Sequence, residues 1–386
     1  MVGARVPRAR RRCEMKSGWV TKKLGEVCEI NYGTRVRRKD SRSDNYPVYG
    51  GGGETFRWEI FNRENQCVVS RFAMSPECVR FVSGKFFLND SGLTVDAASD
   101  GLLQDYLDWC LFGKQDIIYA LGKGSAQKNL DIREFVNIPI PIPPLAEQKR
   151  IVAKIDAAFE KIDKLKADAE KNLANAKELF QSALDEAMRP KDGWVEKRLG
   201  EVYDVRDGTH DSPRYVNEGW PLITSKNLRD GAIVFDGVKY ISKNDYDAIN
   251  VRSRVDVGDV LMAMIGTIGN PVVVIKSPSY AIKNMALFKL QEGQCSQFLR
   301  YLLMSPDVTL KMEREFKGST QHFVSLKYLR NFKAHFPPLS EQREIVKHLD
   351  LFAEKIKMLE QNYTQQIADC VEMRQAVLRE AFEGRL

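Results

Sequence analysis

The feature that most constrains this chain is that it repeats its own plan. Residues 18–34 read GWVTKKLGEVCEINYGT and residues 193–209 read GWVEKRLGEVYDVRDGT, ten of 17 positions being identical without a gap. A second pair, PPLAEQKRIVAKIDAAFEKIDKL (143–165) and PPLSEQREIVKHLDLFAEKIKML (337–359), shares 12 of 23. Just upstream, GKGSAQ (122–127) aligns with FKGSTQ (316–321). The offset is 175 in the first pair and 194 in the others, so the second copy carries about 19 more residues between landmarks. The interiors show little similarity. Alike boundaries around different contents imply one architecture presenting two different surfaces.

Each copy runs in the same order: an opening strand-like segment, a variable α/β region, a Pro-rich turn and a long helix. Pro139, Pro141, Pro143 and Pro144 alternate with isoleucine, which reads as extended chain because proline cannot continue a helix. Glu147 and Glu341 then fall in a first helical turn, where the helix dipole favours acids.

The helices read as coiled-coil-like. In the first, Ile151, Ala158, Leu165, Asn172 and Leu179 hold one heptad position, and Ile155, Ile162, Ala169, Ala176 and Ala183 the other. In the second, Ile345, Phe352, Leu359, Gln366 and Met373 accompany Leu349, Ile356, Tyr363, Cys370 and Val377. About 40 residues at 1.5 Å each makes a rod of about 60 Å. Asn172 and Gln366 fall at equivalent seam positions, where they either fix register or face a helix end, loop or solvent. The last unit would lead back into the first, so the expectation is an antiparallel helix pair with the two domains at opposite ends of a pseudo-twofold rod.

Composition narrows the class without identifying it. A chain of 386 residues has room for two or three domains with their own cores. No apolar run approaches the ~20 residues of a membrane span. The seven cysteines (Cys13, Cys28, Cys67, Cys78, Cys110, Cys295, Cys370) are scattered and never form CxxC, which points to a reducing cytosol and against a zinc ribbon. The net charge of +7 is weaker than it looks, because Arg5, Arg8, Arg10, Arg11 and Arg12 against Glu14 make +4 of it. That tail has no apolar core of a signal peptide. It reads as a DNA arm, or as sequence outside the fold with the natural start at Met15, and residues 1–14 are set aside. The domains then carry about +1 (15–144) and +5 (189–338), while the helices are mildly acidic. This is a modest pattern favouring phosphate contact by the domains.

Taken in order, GWxxKxLGEV…GT, a variable region, KGSxQ, PPLxEQxxIV and a long helix, given twice, resembles the specificity subunit of type I restriction–modification systems. GTHDSPR (208–214), PLITSKNL (221–228) and GDVLMAMIGTIGNPVVV (258–274) are similar to target-recognition segments of that family. The likeness covers residues 16–386. It implies an α+β protein in which two α/β target-recognition domains are joined by two long antiparallel coiled-coil-like helices in a pseudo-twofold internal repeat. The segments are a basic tail (1–14), domain 1 (15–144), a central spacer helix (145–190), domain 2 (191–338) and a distal spacer helix (339–386). The resemblance further implies that each domain reads half of a bipartite double-stranded DNA target. It also implies that the helices set the spacer and dock two modification (methyltransferase) subunits. Those partners bind S-adenosylmethionine, and motor–nuclease restriction subunits complete the complex.

Catalytic motifs are missing from the sequence. No Asn/Asp-Pro-Pro-aromatic motif of an adenine methyltransferase occurs, Gly50–Gly53 lacks GxGxxG spacing and reads as a loop or hairpin, and no P-loop is present. Pro306-Asp307 followed by Glu315-Phe316-Lys317 is a literal PD…ExK, but the stretch reads as a helix entered after Ser305-Pro306. His210, His322, His335 and His348 form no HExxH, so neither a catalytic nor a metal site is expected. For DNA contact the candidates are Lys123, Ser125, Gln127 and Lys128 in the first KGS segment. Their counterparts in the second are Lys317, Ser319, Thr320, Gln321 and His322. The alternative for both segments is a turn before the closing strand. Arg35, Arg37, Arg38 and Lys39 are a basic run that is also readable as a solvated loop. Thr209, His210, Arg214, Lys226 and Asn227 join the candidates through their likeness to family segments. Trp19 and Trp194 read as core anchors where domain meets helix. The runner-up is a scaffold whose coiled coil and domains bind protein partners.

Overall fold

The structure, a computed structural model, describes residues 18–265, 268–315 and 323–386. The chain divides into two compact units. One comprises the residues up to Ala169 together with Gln365–Leu386, the other Glu170–Thr364.

The first unit opens with β1 (Val20–Lys23), α1 (Leu24–Val27) and β2 (Cys28–Tyr32). There follow β3 (Tyr46–Tyr49), β4 (Phe56–Trp58), β5 (Arg63–Ser70), β6 (Val79–Leu88) and β7 (Gly92–Ala97). Then come α2 (Gln104–Gly113), α3 (Gln115–Ala120), β8 (Gly122–Lys123), β9 (Asn129–Leu130), α4 (Ile132–Phe135), β10 (Pro139–Ile142) and the long helix α5 (Leu145–Met188). A six-stranded sheet has the order β2-β7-β5-β6-β3-β4. A separate two-stranded sheet pairs β1 antiparallel with β10, Val20 opposite Ile142 and Lys23 opposite Pro139, and so joins the start and end of the domain. The prolines take alternate positions, so Ile140 and Ile142 supply the N–H groups such a pairing needs.

The repeated LGEV is a single helical turn in both copies, with the Glu26 and Glu201 carboxylates accepting from the Lys23 and Arg198 amides at 2.9 Å. It docks on the closing segment: Leu24 N–H donates to the Ile138 carbonyl and Leu199 N–H to that of Phe332, both at 2.9 Å. Gly25 and Gly200 allow this approach, since a Cβ would stand 3.0 Å from Val136 Cβ in one case and 2.9 Å from the Arg330 carbonyl oxygen in the other.

The second unit repeats this with β11 (Val195–Arg198), α6 (Leu199–Val202) and β12 (Asp204–Asp207). Its interior holds β13 (Tyr215–Val216), β14 (Trp220–Ile223), β15 (Leu228–Arg229), β16 (Ala232–Ile233), β17 (Lys239–Ile241) and α7 (Lys243–Ser253). Next are β18 (Val260–Ala263), β19 (Gly269–Val273), β20 (Ala281–Ile282), β21 (Met285–Lys289), α8 (Ser296–Met304) and α9 (Pro306–Glu315). The unit closes with α10 (Leu326–Asn331), β22 (Lys333–Phe336) and α11 (Leu339–Phe382). Two four-stranded sheets, β12-β21-β18-β19 and β13-β17-β14-β20, replace the single six-stranded one. β11 closes on β22 as β1 does on β10.

The long helices build the base of each unit. In the first, Ile151, Ile155 and Phe159 of α5 share a core with Tyr106, Leu107, Phe135 and Ile140, and with Leu378 and Ala381 of α11. In the second, Leu184 and Met188 join Trp194, Phe298, Tyr301, Phe336, Ile345 and Leu349. In each unit the two helix segments run antiparallel. Phe159 faces Arg374, whose guanidinium also pairs with Asp163, and Phe180 stacks on Phe352 at 6.4 Å.

One sequence expectation is corrected here. The Ile155-Ile162-Ala169-Ala176 and Leu349-Ile356-Cys370 lines are buried, but their companion lines start buried at Ile151 and Ile345 and then turn outward: Leu165 is 55% exposed, Leu179 52% and Met373 45%, and Asn172 and Gln366 lie on the exposed side. The buried face of α5 passes from Ile151, Ile155, Phe159 and Ile162 through Ala169 and Ala176 to Leu184 and Met188. Its mean spacing is nearer the ~3.6 of a straight helix than the 3.5 of a supercoil. Within each unit that face is shared between domain residues and α11, Ile151 and Ile155 lying in one core with Tyr106 and Leu378, and Leu184 and Met188 in another with Trp194 and Ile345.

Candidate nucleic-acid interface

The Gly-Thr that ends the first repeated block is a structural joint in both copies. In the first unit, Gly33 N–H donates to the Gly92 carbonyl (3.1 Å) and Thr34 N–H to that of Leu88 (2.9 Å). In the second, Gly208 donates to Met285 (2.9 Å) and Thr209 to Ile282 (3.0 Å). Only glycine fits at these joints: a Cβ on Gly33 would stand 2.0 Å from the Asn89 carbonyl oxygen, and one on Gly208 2.4 Å from that of Ile282. Each joint presents the residues that follow at one end of a sheet, next to a returning turn.

In the first unit this turn is Asn89–Ser91, and it gathers further loops. Asn89 is bonded through its side chain to both backbone groups of Val36, the residue between Arg35 and Arg37. Ser91 Oγ accepts from Gly51 N–H at 3.1 Å, so Gly50 and Gly51 of the glycine run are packed while Gly52 and Gly53 meet nothing within 4 Å. The run is a loop, as its spacing suggested. Arg37 pairs with Asp40 at 2.8 Å on the surface, while the side chains of Arg35, Arg38 and Lys39 are exposed and bond no described residue.

The KGSAQK segment forms a small hairpin of β8 and β9, turned at Gly124 (φ 121°). Lys123 is ion-paired with Asp131, which raises the lysine and lowers the carboxylate from their ordinary values. Lys128 Nζ lies 4.0 Å from the Tyr119 ring centroid, and Ser125 and Gln127 are exposed at the tip. The segment is thus the turn that the sequence allowed, with its polar tip exposed. The same turn bonds to the Gly-Thr side of the unit through the 71–74 segment: Leu130 N–H donates to the Arg71 carbonyl (2.8 Å) and Arg71 N–H to that of Ser91 (2.8 Å).

In the second unit the Gly208-Thr209 loop is stitched to Lys283-Asn284. His210 Nδ1 is 3.0 Å from Asn284 Oδ1 and its Nε2 is 2.8 Å from Asp207 Oδ2. Lys283 Nζ donates to Ser212 Oγ (2.6 Å), and Arg252 pairs with the other Asp207 oxygen (2.7 Å). Lys283 N–H also reaches the Ile223 carbonyl (2.9 Å), which brings the end of β14, and hence Lys226, to the same edge. Arg214 and Lys226 are exposed. Asn227 is different: it is buried, its Oδ1 accepts from Thr224 N–H (3.0 Å) and its Nδ2 donates to the Val234 carbonyl (2.9 Å). Its side chain holds the loop's shape, which corrects the expectation that it contacts a ligand. Lys317, Ser319, Thr320, Gln321 and His322 lie outside the described residues, as does the arginine-rich tail. Sequence reasoning missed Arg71, Lys283, Asn284 and Arg252, because nothing local to them repeats; only strand pairing brings them to the joints.

Nothing in these clusters resembles a reaction centre. Pro306-Asp307 opens α9, as the sequence suggested, and Asp307 pairs with Lys311 one turn on. Burial pushes the thiol of Cys78 up to about 11 and those of Cys28 and Cys110 up to about 12, away from nucleophilic use. Among the described residues no three His, Cys, Asp or Glu side chains gather as a metal site, and no helix is long and apolar enough to cross a membrane. Trp194 meets the expectation of a core anchor: it is 9% exposed, and its Nε1–H donates to Glu341 in the first turn of α11 (3.0 Å). Trp19 is half-buried against the first core.

A duplicated α/β domain, each copy closed on a long helix and offering polar loops at one end of its sheet, defines a class of paired recognition domains. The chain belongs to the family of the type I restriction modification DNA specificity domain, whose model matches residues 16–175 and again 191–368. It is 24% identical over 329 residues to the type I restriction enzyme EcoBI specificity subunit of Escherichia coli, spanning 78% of this chain and 69% of that one. To the MjaVIII specificity subunit of Methanocaldococcus jannaschii it is 25% identical over 299 residues, 69% of each. A solved structure titled for complex assembly and conformational transition of the type I R-M system shares the fold at a TM-score of 0.75, with 21% identity over 97% of this chain and all of that one. The HsdS subunit from Thermoanaerobacter tengcongensis gives 0.56, with 21% identity over 97% of this chain and 99% of that one.

Proposed function

We infer that this chain is the DNA-reading specificity subunit of a type I restriction–modification complex and performs no chemistry itself. Each domain reads one half of a bipartite double-stranded target. The observation that carries this reading is the repeated joint: Gly33-Thr34 and Gly208-Thr209 are anchored by corresponding backbone bonds, yet offer unlike side chains beyond them. Equal frames with unequal contents suit two different half-sites. The long helices set the spacer. Their outward apolar residues, Leu165, Val371 and Met373 in one unit and Leu179, Leu351 and Met358 in the other, dock two modification (methyltransferase) subunits. S-adenosylmethionine binds those partners, and motor–nuclease subunits add restriction. The whole works in the cytoplasm.

The test is a domain exchange. Residues 15–144 are replaced by the corresponding domain of another specificity subunit, and the purified chain with its methyltransferase partner selects from random-sequence duplexes. One half of the selected two-part sequence should change and the other stay. Recovery of no common sequence from the wild-type complex would leave the scaffold reading in its place.

A further inference from the structure

Arg71 joins two sequence-predicted contact segments of the first unit through a single residue. It lies just beyond the end of β5, its N–H bonded to Ser91 of the turn behind Gly33-Thr34 and its carbonyl to Leu130 at the base of the KGSAQK hairpin. The chain then turns at Ala73, which holds a left-handed φ of 49°, so that Met74 N–H meets the Lys128 carbonyl at 3.0 Å. Few non-glycine residues adopt that conformation, and it persists where the surroundings dictate it.

The side chain is held as firmly as the backbone. Its Cζ lies 4.7 Å from the ring centroid of Tyr32 and 4.6 Å from that of Phe72. Two aromatic rings orient the guanidinium without using its N–H donors. Three other arginines of this domain are spent: Arg63 donates to Thr94, Asn62 and Tyr32, Arg80 to Gly51 and Glu77, and Arg57 to Asp44 and Asn45. The Arg71 guanidinium bonds no described residue, and Tyr32 beside it is exposed. A half-buried, pre-oriented fork with its donors unspent suits a fixed pair of acceptors.

The second copy shows that this feature belongs to content and not to frame. Leu130 N–H bonds to the Arg71 carbonyl as Val324 N–H bonds to that of Met264, so the two positions correspond. Met264 is buried, and Asp207 stands where Tyr32 stands.

We propose that Arg71 is a specificity-determining residue of the first domain, donating in bidentate fashion to the O6 and N7 acceptors of a guanine in its half-site. This rests on the DNA-reading function proposed above. The guanidinium geometry matches that acceptor pair, and a fixed plane discriminates against the other bases.

The test uses the full chain assembled with its methyltransferase partner, selecting from random-sequence duplexes, with Arg71→Lys and Arg71→Ala compared with wild type and melting curves recorded for each. Wild type should yield a two-part sequence with a guanine in the half assigned to this domain by exchange. Arg71→Lys keeps the charge but loses the fork, and should relax that one position by about tenfold or more while leaving the other half unchanged. Tyr32→Ala, which removes one ring and keeps the arginine, should weaken the same preference partway. An unchanged guanine preference in both arginine variants overturns the proposal. So does an affinity loss equal for all sequences with the salt slope reduced by about one, the mark of a phosphate contact. Either result, with the wild-type two-part sequence intact, leaves the DNA-reading function standing; absence of any wild-type consensus sinks both.

Discussion

Gly33→Ala isolates the joint on which the first recognition surface depends. The added methyl would meet the Asn89 carbonyl oxygen at 2.0 Å and its carbon at 2.4 Å. Both are backbone atoms, so relief requires the β2 end and the 88–92 turn to part. That movement weakens two hydrogen bonds, Gly33 to Gly92 and Thr34 to Leu88, each contributing about 0.5–1.5 kcal/mol. Overpacking itself costs about 1–3 kcal/mol. Together these give roughly 2–6 kcal/mol, or about 4–24 °C in the melting of a unit of this size. Calorimetry should show the transition of the first unit lowered and that of the second in place. In the assembled complex, selection should lose the half-site of the first domain. Gly52→Ala is the matched control, since its Cβ meets nothing within 4 Å, and it should leave both readouts unmoved. A Gly33→Ala protein that melts like the control and keeps both half-sites would refute the assignment of the joint.

Gln148 and Gln342 hold the same place in PPLxEQ but do unequal work. Gln148 is fully buried and bonds Leu103, Gly101 and Pro143, whereas Gln342 donates to the Pro337 carbonyl at 2.9 Å and its buried Oε1 meets no donor among the described residues. Gln148→Ala should therefore destabilise its unit by about 2–4 kcal/mol and Gln342→Ala by about 1, measured by denaturant unfolding. Asp108 carries a pH signature: burial pushes its carboxyl up to about 7, with the Gln104 donor opposing. Because the folded value exceeds the unfolded one, the folded unit holds the extra proton between about pH 4 and 7, and stability falls as pH rises through that window. Asp108→Asn should flatten this decline and raise the melting temperature at pH 8 more than at pH 5; an equal effect at both would refute it. Leu165→Glu with Met373→Glu should leave melting unchanged yet weaken methyltransferase capture at least tenfold in pull-down titrations; undiminished capture would exclude this face as the docking surface.

The duplication, the closing strands, the long helices and the family were legible in the sequence, because each depends on local pattern. Proline alternation, the acids of a first turn and the LGEV turn are decided by residues within a few positions of one another. The heptad reading succeeded for Ile155-Ile162-Ala169-Ala176 and failed for Leu165-Asn172-Leu179 for a related reason. Apolar spacing reveals that a helix has a buried face, but the domains packed on its ends determine how that face rotates along its length. Asn227 looked like a contact residue, since an amide offers the same donors and acceptors to a ligand as to the backbone; only burial showed that its own loop consumes them. The sequence by itself determined two divergent copies in one frame and where each copy begins and closes. Tertiary structure alone decided which polar residues share a surface. Arg71 meets Tyr32, and His210 meets Asn284, through strand pairing across 39 and 74 residues, and no local periodicity records contacts at that separation.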